Sequence, residues 1–402
     1  MSQSLNGLTL LVKQKNKNKN SIFIWSSSFH PVSGGLQTVA MELGKYLLKN
    51  KWKVTFIANR YPRKLHKNET INRMQIHRYT FLHSPLNYLK SYRIDLVFGW
   101  MFYKPITCIK LILLFIRIRP NTVNLHFLDN QVFEIFLLKK IFDFKLVISF
   151  HGNDIEKLNT NSTKSFRLLL IEKLLNEAEL ITGCSNYIIK KIAFTFPNLK
   201  SEKLTILYNG VGKEFLNLSL KNKKDDYFFS AARNVPVKGL DLVFSLSKIY
   251  KQHSFKIAGE GYKRVNGKSN ILLLGLVEPS EIMRNMINCS MVIIPSRSEA
   301  FGIIVAEALC CGSPIVATNV GGIPEVMELA KSSLNQNEIC IFNHWVKLVE
   351  PSVTSLIDGV DDILKSSIPI ENYIEIIPKV QRQFFWEKRL NKYHKSLLSM
   401  NS

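Results

Sequence analysis

Residues 291–325 confine the fold of this chain more tightly than any other stretch. Positions 291–294, Met-Val-Ile-Ile, form an unbroken apolar run that stops at Pro295-Ser296, the pattern of a strand buried on both faces. Gly302 opens an apolar helix over 303–311, and Gly312 stands where a C-cap glycine closes one. A second buried strand, 314–317, follows at once. Strand, loop, helix, strand is a βαβ unit. Its loop lies at the carboxyl edge of the sheet, where open α/β folds take their ligands.

The loop residues, Pro-Ser-Arg-Ser-Glu-Ala-Phe-Gly, carry definite chemistry. Free N–H groups near Gly302 and Ile303, with the positive end of the helix dipole, make an anion site. Gly302 has no Cβ, so a phosphate can approach the backbone. Glu299 in the loop and Glu307 in the helix are poor partners for phosphate and good acceptors for hydroxyl groups. An anion site flanked by two hydroxyl acceptors fits a nucleotide sugar. On these residues alone a second reading stands beside it, with Glu299 as a helix cap and Glu307 as a solvated helix residue.

The alternation continues along the chain. Apolar strands at 21–25, 54–58, 96–98, 123–126, 146–150 and 180–182 form one set. Those at 227–231, 255–258, 271–274, 292–295 and 315–317 form a second, with helical stretches such as 36–48 between strands. The expectation is an α/β chain with two doubly wound sheets, one per half. A length of 402 residues, beyond what one core fills, also asks for two domains. Asn209-Gly210 and the polar run at 221–226 interrupt the pattern, which places the first domain at 21–208 and the second at 209–383. Residues 1–20 lack the apolar core of a signal peptide and end in a Lys/Asn run, so a disordered tail is expected there.

Charge is shared unequally. The net charge is +23; residues 1–208 hold 31 Lys and Arg against 12 Asp and Glu, and residues 209–402 hold 23 against 19. Positions 63–93 carry seven basic residues opposed only by Glu69. A basic half attracts polyanions. With no RNA-binding or helix-turn-helix signature, the expected partner is an anionic membrane surface or glycolipid and not nucleic acid. Drift in a chain rich in Lys, Asn and Ile is the competing source of the charge. The apolar stretch 105–116, with Lys110 inside it, falls short of the roughly 20 residues that span a bilayer. It is expected as a buried helix of the first domain; the alternative is a place at the membrane interface, flanked by Lys104, Arg117 and Arg119. The six cysteines show no metal spacing and are expected as buried free thiols in a reducing compartment.

Taken together, these segments resemble the family 4 glycosyltransferases, retaining enzymes of the GT-B fold. The likeness rests first on Glu299 and Glu307, followed by Gly312-Ser313-Pro314 and Gly321-Gly322-Ile323-Pro324-Glu325. In the first half it rests on Gly34-Gly35 before the helix 36–48 and on Phe150-His151-Gly152-Asn153-Asp154. Asn209-Gly210-Val211, Ala232-Arg233, Lys238-Gly239-Leu240-Asp241, Gly259-Glu260-Gly261 and Gly275-Leu276-Val277 follow in the family's order. The match runs from about residue 30 to 328. It implies two Rossmann-like domains facing a central cleft, with a C-terminal helix in the segment 384–402 crossing back to the first domain. Ala300 departs from the glycine usual in that loop, and residues 330–350 lack the family's glycine-rich segment.

The resemblance implies roles as well. Arg233 and Lys238 would meet the donor diphosphate, Glu299 the hydroxyls of the transferred sugar, and Glu307 the ribose hydroxyls. Backbone groups of Phe301, Gly302 and Ile303 would hold the sugar or distal phosphate. Gly35 would approach the diphosphate, and Leu276 and Val277 the base. His151 would contact the transferred sugar near its reacting carbon. No Asp-x-Asp motif is present, so neither a tightly bound metal nor another cofactor is expected. The implied reaction moves a sugar, with retention, from a nucleoside diphosphate to a growing cell-surface glycan or lipid-linked acceptor in polysaccharide or lipopolysaccharide synthesis. No carboxylate stands out as a covalent nucleophile, which points to a front-face displacement. The enzyme would lie on the inner face of the cytoplasmic membrane. Two alternatives remain open on sequence: a nucleotide-sugar 2-epimerase of the same fold, and a non-catalytic polyanion-binding protein. A Rossmann dehydrogenase fits poorly, because no G-x-G-x-x-G opens the first unit.

Overall fold

A computed structural model of the chain describes residues 20–27, 29, 35–60, 64–82, 93–159, 166–216, 218, 220, 224–261 and 270–401. The expected tail, apart from Asn20, lies outside these residues, as do Gly34 and Arg63. The chain forms two compact units. One comprises Met1–Cys184, Ile188–Leu207 and Leu390–Ser402; the other comprises Ser185–Tyr187 and Tyr208–Arg389.

The first unit holds β1 (Ser21–Ser26), α1 (Gly35–Lys49), β2 (Lys53–Asn59), β3 (Asn68–Ile71), β4 (Met74–Tyr79), α2 (Ile94–Ile118), β5 (Thr122–His126), α3 (Val132–Ile141), β6 (Lys145–Phe150), α4 (Asn153–Asn159), α5 (Phe166–Glu177), β7 (Leu180–Gly183), α6 (Asn186–Thr195) and β8 (Leu204–Ile206). Its sheet runs β3-β4-β2-β1-β5-β6-β7-β8. All pairings are parallel except that of β3 with β4. Every residue of β1 and β5 is buried, as a strand covered by helices on both faces requires. Strand order reverses at β1, which has β2 on one side and β5 on the other.

Two elements differ from the sequence reading. Residues 96–98, expected as a strand, lie inside α2, whose 25 residues run on through Pro105. The stretch 105–116 belongs to the same helix and is buried on one face only: Leu111 and Phe115 are buried, while Ile109 and Leu113 are exposed. The hairpin β3–β4 was not anticipated. Its two-residue turn, Asn72-Arg73, has positive φ at both positions (49° and 65°) and closes on the Ile71–Met74 pair. Within the basic region, Arg78 is buried and forms an ion pair with Glu69, so it is not available to a polyanion.

The second unit holds β9 (Asp225–Ala231), α7 (Leu240–Ile249), β10 (Ser254–Ala258), β11 (Ile271–Gly275), α8 (Pro279–Asn288), β12 (Cys289–Ile294), α9 (Ile303–Cys310), β13 (Ile315–Thr318), α10 (Ile323–Lys331), α11 (Gln336–Trp345), β14 (Val346–Val349), α12 (Val353–Leu364), α13 (Ile370–Gln383) and α14 (Trp386–Asn401). Its strands run β11-β10-β9-β12-β13-β14 and are all parallel. Phe228, Leu246, Phe255, Ile257, Met291, Ile293 and Val316 belong to its core. Residues 330–350, unlike the family's pattern in sequence, form regular structure. Asn335 and Glu338 make a capping box, each side chain accepting from the other's backbone N–H at 2.9 Å, and the helix they open leads into β14.

From Leu390 on, α14 belongs to the first unit. There Asn124 Nδ2 donates to the Tyr393 hydroxyl (2.6 Å) and Trp52 Nε1 donates to His394 Nε2 (3.0 Å). Tyr393 and Leu397 are buried. Of the six cysteines, Cys184, Cys289, Cys310 and Cys311 are buried free thiols and Cys108 is half-buried; Cys340 is exposed, against the expectation.

Candidate functional site

Strand order in the second sheet reverses at β9, which lies between β10 and β12. At such a switch point the crossover helices go to opposite faces and leave the carboxyl ends of the two central strands uncovered. Two loops emerge there, 232–239 after β9 and 295–302 after β12, and they carry Arg233, Lys238, Glu299, Phe301 and Gly302.

The loops are fastened to each other. Arg297 N donates to Val237 O (2.8 Å), and its guanidinium spans both carboxylate oxygens of Asp241 (2.7 and 2.6 Å) while also reaching Pro236 O (2.9 Å). Gly239 sits at φ 65°, and a Cβ there would lie 1.9 Å from Pro295 O, so only glycine permits this approach. Gly321, at φ 57°, fits as closely against Glu299 O, and Gly322 N donates to that oxygen (2.9 Å). Thr318 Oγ1 donates to Ser296 O at 2.5 Å. Gly321 and Gly322 therefore fix backbone at Glu299 and Ala300, while Gly239 fixes the approach of its loop to Pro295.

The result is a charged pair. Lys238 Nζ lies 2.5 Å from Glu299 Oε1, which also accepts from Ser296 Oγ (3.0 Å). The Glu299 side chain is 11% exposed and that of Lys238 24%, so a ligand can reach both while solvent screens them only in part. Arg233, on the same loop, is exposed, and its side chain makes no ion pair or hydrogen bond among the described residues; its backbone carbonyl accepts from Val235 N (2.8 Å). The structure thus joins Lys238 to Glu299 and leaves Arg233 apart. Ser296 and Arg297 were not picked out from sequence, since an isolated Ser or Arg carries no signal until the β9 and β12 loops are neighbours.

Behind them, α9 starts at Gly302 with no side chain capping it and no acid in its first turn. Val305 N already donates to Gly302 O (3.0 Å), so the N–H groups of Ile303 and Ile304 and the helix dipole are left for a negatively charged partner. Phe301 is buried under this turn, 6.0 Å between centroids from the Tyr208 ring, and Ile303 is half-buried. Glu307, one turn further, is half-buried; burial first, and then the charge of Glu214, push its carboxyl up to about 8. Glu307 is thus not a fully solvated helix residue, and Glu299 does not cap the helix. At the neighbouring strand ends, Gly259 N donates to Gly275 O (2.7 Å), and beyond Gly275 the Leu276 side chain is exposed and Val277 half-exposed.

In the first unit, Gly35 is the exposed first residue of α1. His151 follows β6 directly. Its backbone N–H, with those of Gly152 and Ile155, donates to the buried Asp154 carboxylate at 2.9–3.2 Å. Its ring stacks on that of His126, with Nε2 3.0 Å from His126 Nδ1. Burial lowers both imidazoles, His151 to about 4 and His126 well below its usual range, so both are neutral near pH 7. One proton is shared across that contact. His126 Nε2 is buried and has no partner among the described residues. A bare ring nitrogen is cheaper to bury unpartnered than an N–H. The lower-energy arrangement therefore protonates His126 at Nδ1, which donates to His151 Nε2 and leaves the His151 proton on Nδ1.

Two family models match the chain in succession. Glycosyltransferase Family 4 matches residues 33–215, and Glycosyl transferases group 1 matches residues 213–380. The chain belongs to glycosyltransferase family 4. Among its relatives, an uncharacterised glycosyltransferase of Methanocaldococcus jannaschii is 33% identical over 201 residues, covering 48% of this family 4 chain and 54% of the relative. The matched stretch thus spans about half of that relative. One component of the phosphatidylinositol N-acetylglucosaminyltransferase of Homo sapiens is 23% identical over 361 residues, covering 85% of this chain and 68% of the relative. Anabaena HepE, solved in complex with UDP and glucose, shares the fold of the family 4 chain at a TM-score of 0.67, with 16% identity over 94% of this chain and 99% of its own.

Proposed function

We propose that the protein transfers a sugar, with retention, from a nucleoside diphosphate sugar to a glycan or lipid-linked acceptor of the cell surface, working as a peripheral enzyme on the inner face of the cytoplasmic membrane. The observation that carries this reading is the Lys238–Glu299 pair beside the uncapped start of α9, at the switch point of the second sheet. A lysine and a helix amino end can take up the charge that a leaving diphosphate gains as its glycosidic bond breaks, and this lowers the barrier. Lys238 releases its hold on Glu299 to do so, and the freed carboxylate accepts hydroxyls of the transferred sugar. Arg233, exposed on the same loop, supplies a second and more mobile cation to the diphosphate.

Glu307 accepts the ribose hydroxyls, Leu276 and Val277 border the base, and Phe301, Gly302 and Ile303 present backbone N–H groups to the sugar or distal phosphate. Gly35 approaches the diphosphate, and His151 hydrogen-bonds the transferred sugar. No carboxylate is assigned as a covalent nucleophile: the departing phosphate oxygen takes the acceptor's proton as the new bond forms on the face the leaving group vacates. The diphosphate charge is met by side chains and backbone, with no tightly bound metal. HepE bound to UDP and glucose supports a uridine or similar donor, and the human relative's name supports a lipid-borne acceptor. The test is hydrolysis of a panel of nucleotide sugars in EDTA. Turnover of one donor by the wild type, lost in Lys238→Ala, is expected; turnover only after added magnesium, or of none, contradicts the proposal.

A further inference from the structure

Helix α2 has two unlike faces. At about 100° per residue, Lys104, Thr107, Leu111, Leu114 and Phe115 point one way, and all are buried. Phe115 packs edge-on against Phe23 of β1 at 5.0 Å between centroids, and Lys104 forms an ion pair with Glu134 of α3 at 2.6 Å. That face is fully engaged within the first unit. The opposite face carries Phe98, Met101, Phe102, Ile106, Ile109 and Leu113, each between 45% and 69% exposed. By the same geometry these six fall within an arc of about 140° and extend over roughly 22 Å of helix. A contiguous apolar stripe of that size marks an interaction surface.

We infer that this stripe of α2 lies in the headgroup region of an anionic membrane, with the helix parallel to the surface. Charge chooses this occupant over a second protein. Lys110 and Arg117 stand along one edge of the stripe, exposed and without an ion pair among the described residues. The acid on the exposed side, Asp95, is neutralised by Arg93 at 2.8 Å. Residues 1–208 carry 31 basic against 12 acidic side chains, a surplus of +19. A single convex helix face with long apolar side chains and cations at its border matches the way interfacial helices sit, apolar residues among the acyl chains and Lys and Arg at the phosphates. It does not cross: no helix among the described residues is long and apolar enough to span a membrane.

The inference extends the membrane part of the proposed function, and its test separates the two. Full-length protein is floated with vesicles of phosphatidylcholine containing phosphatidylglycerol and with phosphatidylcholine alone, and donor binding is measured on the same preparations. Wild type is expected to float with the anionic vesicles. The Phe98→Glu/Phe102→Glu variant, altered only at exposed positions, is expected to partition about tenfold less or weaker still while binding donor as before. Lys110→Glu/Arg117→Glu is expected to lose the preference for anionic vesicles. Failure of the wild type to float, or flotation of the phenylalanine variant at the wild-type level, overturns the inference. So does a wild-type dimer, seen by light scattering, that this variant converts to monomer, since the stripe would then join two copies of the chain. Loss of donor binding with vesicle binding intact leaves the membrane face standing and rejects the enzymatic reading instead.

Discussion

His151 and Glu307 sit in environments far from those of ordinary surface groups. A histidine held neutral, with one nitrogen occupied by His126, offers a single fixed donor and no charge. In the proposed reaction His151→Ala is expected to lower turnover by about 100-fold or more, the usual scale for a positioned polar group, with the fold intact by circular dichroism. Nitrogen NMR of the wild type is expected to show His151 protonated at Nδ1. In His126→Phe that preference is expected to disappear; a mixed tautomer already present in the wild type contradicts the assigned hydrogen bond. Glu307 gives a pH signature. Its carboxyl, raised to about 8 in the free protein, is mostly protonated at pH 7. Ribose hydroxyls donate to the ionised form, so donor binding expels a proton, and affinity rises with pH up to about 8 and levels off above it. Calorimetry in buffers of different ionisation enthalpy is expected to show this proton release, and Glu307→Gln is expected to abolish it. An affinity flat from pH 6 to 9 in the wild type removes Glu307 from the ribose. Sequence displayed both glutamates because the spacing of Glu299 and Glu307 is short-range. It could not display the Lys238–Glu299 pair or the His126–His151 stack, since each joins residues at the ends of, or just beyond, different strands whose adjacency only the sheet order decides.

At the scale of elements, the switch-point loops act as one piece because glycines let them touch. Gly239 tests this. Alanine at φ 65° costs about 1–2 kcal/mol for backbone strain alone, and here it must also displace the Pro295 carbonyl. Gly275 has a similar φ, 70°, with nothing within 4 Å of a built Cβ, so Gly275→Ala carries the strain alone. Denaturant midpoints are expected to show Gly239→Ala less stable than Gly275→Ala by about 1 kcal/mol or more. Equal losses would mean that the two loops are not in close contact. Most buried strands were legible, since runs such as 271–274 and 291–294 are apolar throughout and bounded by polar, proline or glycine residues. Two places failed for physical reasons. Residues 96–98 form an apolar run too short to show a period, and Pro105 made the segment look interrupted, although the helix runs through it. The Asn72-Arg73 turn lacks the glycine that usually announces a two-residue hairpin, so β3 and β4 passed unnoticed.

Considered as a whole, the molecule distributes its tasks by charge and topology. The second sheet brings one lysine, one glutamate and a helix amino end to a single edge, while the basic surplus and the apolar stripe of α2 belong to the first unit. The two-sheet architecture was readable because alternating strands and helices admit few other packings. The site was readable only through its resemblance to a family, because a lysine among 54 basic residues carries no signal of its own. The central claim is that a nucleoside diphosphate binds at the β9–β12 switch point through Lys238. Calorimetric titration of a nucleoside diphosphate into the wild type and into Lys238→Ala tests it directly. Saturable one-to-one binding by the wild type, weakened at least about tenfold in the variant, is the expected result. Equal affinity in the two proteins, or no binding by either, would contradict it.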